Sequence, residues 1–390
     1  VKEEPLPGPG HHFLVFKDAA RIVCAAYTCG ETVDLDLATD AKEVTATDIM
    51  GNRTVLKPEN GKLKISMSGE ATYLAVTASE SIKPDYSTLK VQPNLALGTL
   101  GALPSGSSGT VQPWTCVNGD WTSFQSGEKW NDGQRDKFPD WFEVKLPKPV
   151  PVSRVRVCMD YGAWEKPFRD YELQAFVGSD WKTVATVHSN LNYNSILQHT
   201  LDQPVTTDRV RVFIHDVNAC LFDNLDWLDK SSILQALEVY PAAGAAAKAF
   251  FLPEFIKPRV VVPGGSTNLV FRVRNVTAAK LDGELKLSLP AGVTADKAAQ
   301  ALSAEPNGEA RCEVKVTLPA TVPTNMVFSV VGGLYQGGEL VSSDYATRVI
   351  RCPMPPPPKK EEPKKTEEKK PAKKEPPKDA LDVIKDAPEL

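Results

Sequence analysis

Five aromatic residues fall in stretches without strand periodicity: Trp121, Trp130, Trp164, Tyr193 and Phe222. Arg135, Arg169, Asn192, His215 and Asn218 stand among them. Flat apolar rings beside fixed donors and acceptors suit a sugar, whose C–H faces lie on aromatic planes while its hydroxyls take hydrogen bonds. Each ring also has a plainer reading as packing. Trp141 and Trp181 sit inside strand patterns and are assigned to the core. Two loops concentrate the candidates. Residues 161–168 hold Tyr161, Trp164 and Phe168 beside Arg169 and Asp170, and residues 215–229 hold Asn218, Phe222 and Trp227. Loops of this length carry an ordering cost and persist in compact domains mainly where they function. Both follow strands expected to run in the same direction, which would place them on one rim. The expected contact set is Trp164, Phe168, Arg169, Tyr193, His215, Asn218 and Phe222. Within it Trp164 or Phe222 is the stacking platform, and Arg169 or His215 the hydroxyl partner.

Covalent chemistry finds less support. Glycoside hydrolysis needs two carboxylates at a set separation on a rigid frame, and no alternation of strand and helix supplies one. None of the five histidines lies near a G-x-S-x-G elbow, and Walker patterns are absent. The acidic run Asp223-Asn-Leu-Asp-Trp-Leu-Asp lacks EF-hand order and reads as loop solvation or helix capping rather than a metal site. Asn52-Arg-Thr and Asn275-Val-Thr match the glycosylation sequon, which matters only in a eukaryotic secretory pathway.

The elements that must position these residues are strands. Val33, Leu35 and Leu37 alternate, as do Leu63, Ile65 and Met67, so each run turns one face to a core. Gly51-Asn52 and Asn60-Gly61 are hairpin signals. In the middle third Trp141-Phe-Glu-Val, Val155-Arg-Val, Tyr171-Glu-Leu-Gln and Arg209-Val-Arg-Val repeat the period-two pattern. The core there is read as Trp141, Val155, Val157, Leu173, Phe176, Val210 and Val212, a packed interior that leaves binding to the loops. Leu269-Val-Phe-Arg-Val, Leu285-Lys-Leu-Ser-Leu and Cys312-Glu-Val-Lys-Val continue the all-β pattern to Cys352. Residues 78–88 and 241–248 read as linkers.

At 390 residues the chain calls for two or three domains. A net charge of -4 gives no basic footprint for nucleic acid, and no apolar run is long enough to span a membrane. The sequence opens Val1-Lys-Glu-Glu-Pro, neither an initiator methionine nor a signal peptide, which reads as a piece cut from something longer. From 353 to 390, ten lysines face nine acids among many prolines, the composition of a disordered tether. Seven cysteines show no metal-site spacing. Cys24 with Cys29, and Cys312 with Cys352, are possible bridges; buried free thiols are the equal alternative.

The ordered series Trp-Phe-Glu-Val, Val-Arg-Val, Asp-Tyr-Glu-Leu-Gln, Trp-Lys-Thr-Val, Arg-Val-Arg-Val and Leu-Glu-Val-Tyr resembles the discoidin-like domain, also called the coagulation factor V/VIII type C domain. Many carbohydrate-binding modules belong to that family, and its jelly-roll sandwich is the fold the resemblance implies over residues 90–241. It also implies a structural calcium held by Asn118, Asp120, Thr122 and Glu238. The family's pattern has an Asp where Asn118 stands and often an acid at Ala236, so an ordinary Asx-turn with Glu238 on the surface stays open. Residues 10–80, with Asp48-Ile-Met-Gly-Asn, are similar to the small β-domain closing many barrel-type glycoside hydrolases. Residues 250–352, with Arg-Asn and then Leu-Ser-Leu-Pro-Ala-Gly-Val, resemble immunoglobulin-like modules of bacterial glycosidases. The expected architecture is all-β: three tandem β-sandwiches and a disordered tail at 353–390. The expected role is non-catalytic binding of a glycan or polysaccharide by a monomeric, secreted or cell-surface accessory region of a glycoside hydrolase. A surface adhesion protein binding protein or phospholipid, or an enzyme of unfamiliar type, are the alternatives.

Overall fold

The computed structural model describes residues 1–353 except 9, 29–31, 109–112, 120–128, 135–136, 160–166, 191–194, 219–230, 254–258 and 323–325. Regular structure among the described residues is strand, apart from three short 3-10 turns. Residues 1–353 form one compact unit containing three large apolar cores.

The first core lies between a six-stranded and a three-stranded sheet. Alternation does its work here: Leu35 faces Ile65 and Leu37 faces Leu63 across the ladder, on the side where Phe13, Cys24 and Leu74 are fully buried. The Asp48–Asn52 turn is closed by the Asp48 carboxylate, which accepts from the backbone N–H of Met50 and Asn52. Asn60 and Gly61 take the positive φ angles of the second hairpin. One expectation fails here. Ile82–Pro84, within the stretch read as a linker, is a strand paired with Val33–Thr39, because Ile82 is buried in the same core.

The central core is wrapped by two long antiparallel strands, Asp140–Met159 and Ile196–Val217. The sequence reads as several short strands because prolines interrupt it. Pro147, Pro149 and Pro151 have no N–H to donate to a ladder, and the register shifts between Lys145 and Val150. Phe142, Val144 and Leu146 point inward, with Val210, Val212, Ile214 and Leu173 opposite. Trp141 and Phe176, read as core, stand half-buried on the other face. Phe176 meets Trp181 edge-on at 5.4 Å, and the Arg209 guanidinium covers its ring at 4.6 Å.

The third core lies between a four-stranded and a six-stranded sheet, with Leu269, Phe271, Val314 and Leu334 fully buried. Cys312 and Cys352 are both buried free thiols, so no bridge joins them; Cys24 is free as well, and burial pushes its thiol up to about 12. Cys29 lies outside the described residues. The second linker is also more ordered than read. Val91 N–H donates to Ala245 and Ala247 N–H to Leu89, so the chain entering the central segment pairs with the chain leaving it.

Candidate functional site

Three strand ends meet at one end of the central segment. Pro167 precedes Phe168–Val177, Asn190 follows Asp180–Val187 and Asn218 follows Ile196–Val217. The Asn218 side-chain amide donates to the carbonyls of Pro167 at 3.2 Å and Asn190 at 2.9 Å. Asn218 N–H also donates to Pro167. The Asn190 amide donates to the Phe168 carbonyl at 3.1 Å, and its N–H to Arg169. Both asparagines are buried. Carbonyls withdrawn from water at three loop bases are thereby satisfied by two side chains. Residues 160–166, 191–194 and 219–230 adjoin this knot in sequence.

The shared rim was expected from strands running in one direction, and the long strand reaches it only indirectly. Asp140–Met159 and Ile196–Val217 are antiparallel. Asp140 pairs with Ile214, yet at the other end of its strand Met159 sulfur accepts from Phe168 N–H, and Phe168 pairs with Val217. Both ends of the long strand therefore come to the same rim, which requires it to fold over at the prolines.

Beside the knot lies a half-exposed polar array. Arg169 Nε donates to Asp170 at 2.8 Å, and its Nη2 meets Asp216. The hydrogen bond from Arg169, followed by the Ser189 N–H, holds the Asp170 carboxyl below its ordinary range, while Asp170 and Asp216 keep the guanidinium charged. One strand pair away His215 Nε2 lies 3.1 Å from Glu172, whose carboxyl is lowered first by Thr183 and then by Gln174 and His215. The array offers guanidinium and imidazole donors alternating with ionised acceptors. Such a surface suits hydroxyl recognition. Asp216, Glu172 and Asn190 escaped the sequence reading, having no aromatic neighbour to mark them.

Of the expected contact residues, the structure brings together Arg169, His215, Asn218 and Phe168 but gives the last two other tasks. Phe168 is fully buried, edge-on to Tyr171 at 5.9 Å, so it cannot stack on a ligand. Asn218 is the knot. Trp130 is likewise buried, its Nε1 donating to the Ser108 carbonyl at 3.0 Å. Trp121, Trp164, Tyr193, Phe222, Arg135, Asn192 and the acidic run at 223–229 lie outside the described residues.

The calcium set divides the same way: Asp120 and Thr122 lie outside the described residues. The Glu238 carboxylate is buried, 3.3 Å from Arg156 Nη1 and 2.9 Å from the Tyr240 hydroxyl. The Asn118 backbone carbonyl accepts from the Ser329 hydroxyl. A second acid pair, Asp132 and Asp140, is also structural. Ser232 donates its N–H to Asp132 and its hydroxyl to Asp140, both acids are buried, and burial followed by the charge of Asp140 raises Asp132 to about 6.

Residues 115–212 match the family model of the F5/F8 type C, NedA-like, galactose-binding domain. The central segment thus carries an F5/F8 type C domain of galactose-binding-like class, as its strand motifs imply. Among solved structures, the chain is similar to the family 32 carbohydrate-binding module of NanJ from C. perfringens, solved in complex with galactose. Identity is 16%, over 38% of this chain and 99% of that one, with a TM-score of 0.30. It is similar also to chitosan-binding module 1 of a chitosanase/glucanase from Paenibacillus sp. IK-5, at 21% identity over 38% and 98% with a TM-score of 0.30. A third is the lectin binding domain of Lectinolysin complexed with Lewis b, at 19% identity over 38% and 96% with a TM-score of 0.31. No curated protein matches the chain.

Proposed function

We propose that the chain binds a glycan at the rim of its central domain, without acting on it chemically, as the accessory region of a secreted glycoside hydrolase. One observation supports this reading: three strand ends are tied by a single hydrogen-bonded knot beside the Arg169–Asp170–Asp216 array. The connections between the strands of a sandwich scaffold are the usual place for a binding surface. Trp164 or Phe222 supplies the stacking face in this reading, and Arg169 or His215 the hydroxyl contact. The match to a galactose-binding domain model makes a galactoside the first ligand to try. The N- and C-terminal segments space and orient the central domain. No helix among the described residues is long and apolar enough to cross a membrane, which is compatible with a secreted or cell-surface chain.

The test is a glycan array with the full chain, followed by titration of Trp164→Ala and Phe222→Ala against the best ligand. A stacked ring contributes on the order of 1 kcal/mol beyond burial, so loss of the platform weakens binding several-fold while the melting temperature holds. If both variants bind like the wild type with the fold intact, the placement is wrong.

A further inference from the structure

The six-stranded sheet of the N-terminal segment buries one side in its core and leaves the other in water. Its strands lie in the order Lys2–Glu4, His11–Lys17, Arg21–Thr28, Thr72–Thr77, Val44–Thr47 and Arg53–Leu56. Phe13, Cys24 and Leu74 point inward, so period two turns Leu14, Val23 and Tyr73 outward. An outer face in water ordinarily carries polar side chains. Here Phe16, Tyr73 and Val55 are 39%, 41% and 55% exposed. The turn joining Val44–Thr47 to Arg53–Leu56 adds Ile49 and Met50, exposed as well. That turn is fixed from beneath: the Asp48 carboxylate accepts from the N–H of Met50 and Asn52 and from the Asn52 side-chain amide. These five are half of the ten large apolar side chains exposed among the described residues, and such a concentration marks an interface. Two ion pairs, Asp18 with Arg21 and Glu43 with Lys57, stand at its margin. An apolar centre inside a charged margin is the anatomy of a protein contact.

Strand register identifies the partner. One row crosses all six strands: Glu3, Leu14, Ala25, Tyr73, Thr47 and Arg53. The next row holds Phe16, Val23, Ala75, Thr45 and Val55. Both rows are lopsided in a way that a two-fold axis corrects. A second copy can lie face to face, with the axis parallel to the strands between Arg21–Thr28 and Thr72–Thr77. Each row then lies over its own reverse. Ala25 meets Tyr73 of the second copy, Leu14 meets Thr47, Phe16 meets Thr45 and Val23 meets Ala75, the larger against the smaller each time. At the ends Glu3 meets Arg53. Large against small lets two aligned sheet faces interdigitate, and opposite charges at the margin fix the register. Six strands ~4.8 Å apart, over about six residues of each, give a footprint of roughly 30 Å by 20 Å. That is about 600 Å² on each copy and about 1,200 Å² for a pair, the lower end of what specific interfaces bury.

We infer that this face joins two copies of the chain about a two-fold axis, in place of the monomer expected from the sequence. Joined copies carry two rims, and on a polymer with repeated ligands the second contact becomes intramolecular. That consequence rests on the glycan reading; the pairing itself does not.

The experiment is sedimentation velocity of the full chain from about 1 µM to about 200 µM, the regime of a small, reversible interface. The sedimentation coefficient of the wild type should rise with concentration toward that of a dimer. Tyr73→Lys sets an ammonium against Ala25 of the second copy and should weaken association at least tenfold. Glu3→Arg and Arg53→Glu each set like charges together at both ends and should weaken it several-fold. An equimolar mixture of those two variants restores opposite charges at both ends and should associate as the wild type does. All three positions are exposed in the single chain, so melting temperatures at low concentration should hold. A wild type that stays monomeric at the highest concentration, as it would if a different protein covers the face, overturns the inference. So does association that survives Tyr73→Lys, or that fails to recover in the mixture.

Discussion

Asp344→Asn should stabilise the protein at neutral pH, against the usual direction of a substitution in a hydrogen-bonded site. The Asp344 carboxyl sits where the C-terminal segment meets the chain entering the central domain. Burial outweighs the two N–H donors from Asn94 and Tyr345 and raises its pKa from 3.8 to about 6. A carboxyl raised in the folded state contributes stability that is complete below the unfolded value and is lost as pH rises through the folded one. The window is therefore about pH 4 to 6. Two units at ~1.4 kcal/mol each give about 3 kcal/mol at pH 7, an upper value because the side chain keeps some exposure. Asparagine retains an oxygen for both N–H donors and carries no charge to desolvate. Calorimetric melting of both proteins at pH 3, 5 and 7.5 is the assay. The variant should melt with the wild type at pH 3, rise above it at pH 5 and exceed it by several degrees at pH 7.5. A variant less stable than the wild type at pH 7.5, or an advantage independent of pH, would refute the reasoning.

The loop knot makes a prediction of opposite sign. Asn218→Ala leaves the Asn190 carbonyl without its donor and should cost about 1–3 kcal/mol. Asn218→Asp should cost more at pH 7, since it turns a carboxylate toward two carbonyls; an aspartate variant as stable as the wild type would dissolve the knot as an explanation. Glu238→Ala should cost on the order of 1–3 kcal/mol because it removes the carboxylate paired with buried Arg156, and by the same amount with calcium or with chelator. A melting temperature that drops in chelator would restore the ion.

Much of the strand framework can be read from the residues, because period two is visible wherever one face is buried. Val33, Leu35 and Leu37 declare their face, and so do Val210 and Val212. Parity also exposes an error in the reading. Leu173 and Phe176 are three residues apart on one strand and so cannot share a face; Leu173 went inside and Phe176 out. Trp141 lost the same contest to Phe142 and Val144, which are packed with Leu146. Direction is harder to read at loop bases. Phe168 stands next to a ring-rich loop, but it is the first residue of its strand and its parity with Asp170 and Tyr171 is broken by a register shift. Asn218 has the composition of a ligand contact, and only the proximity of Pro167 and Asn190, distant in sequence, shows that it ties strand ends together. The buried Arg156–Glu238 pair was illegible for a related reason: Arg154-Val-Arg156 alternates like any exposed strand edge, and Glu238 is distant in sequence.

The claim on which the rest depends is that the central rim receives a glycan. Backbone amide shifts of the isotopically labelled full chain, recorded during titration with galactose, address it directly. Shifts should saturate and concentrate at Arg169, Asn190, His215 and Asn218. Saturating shifts confined to residues distant from these four, or no shifts with any glycan that the array retains, would contradict the account.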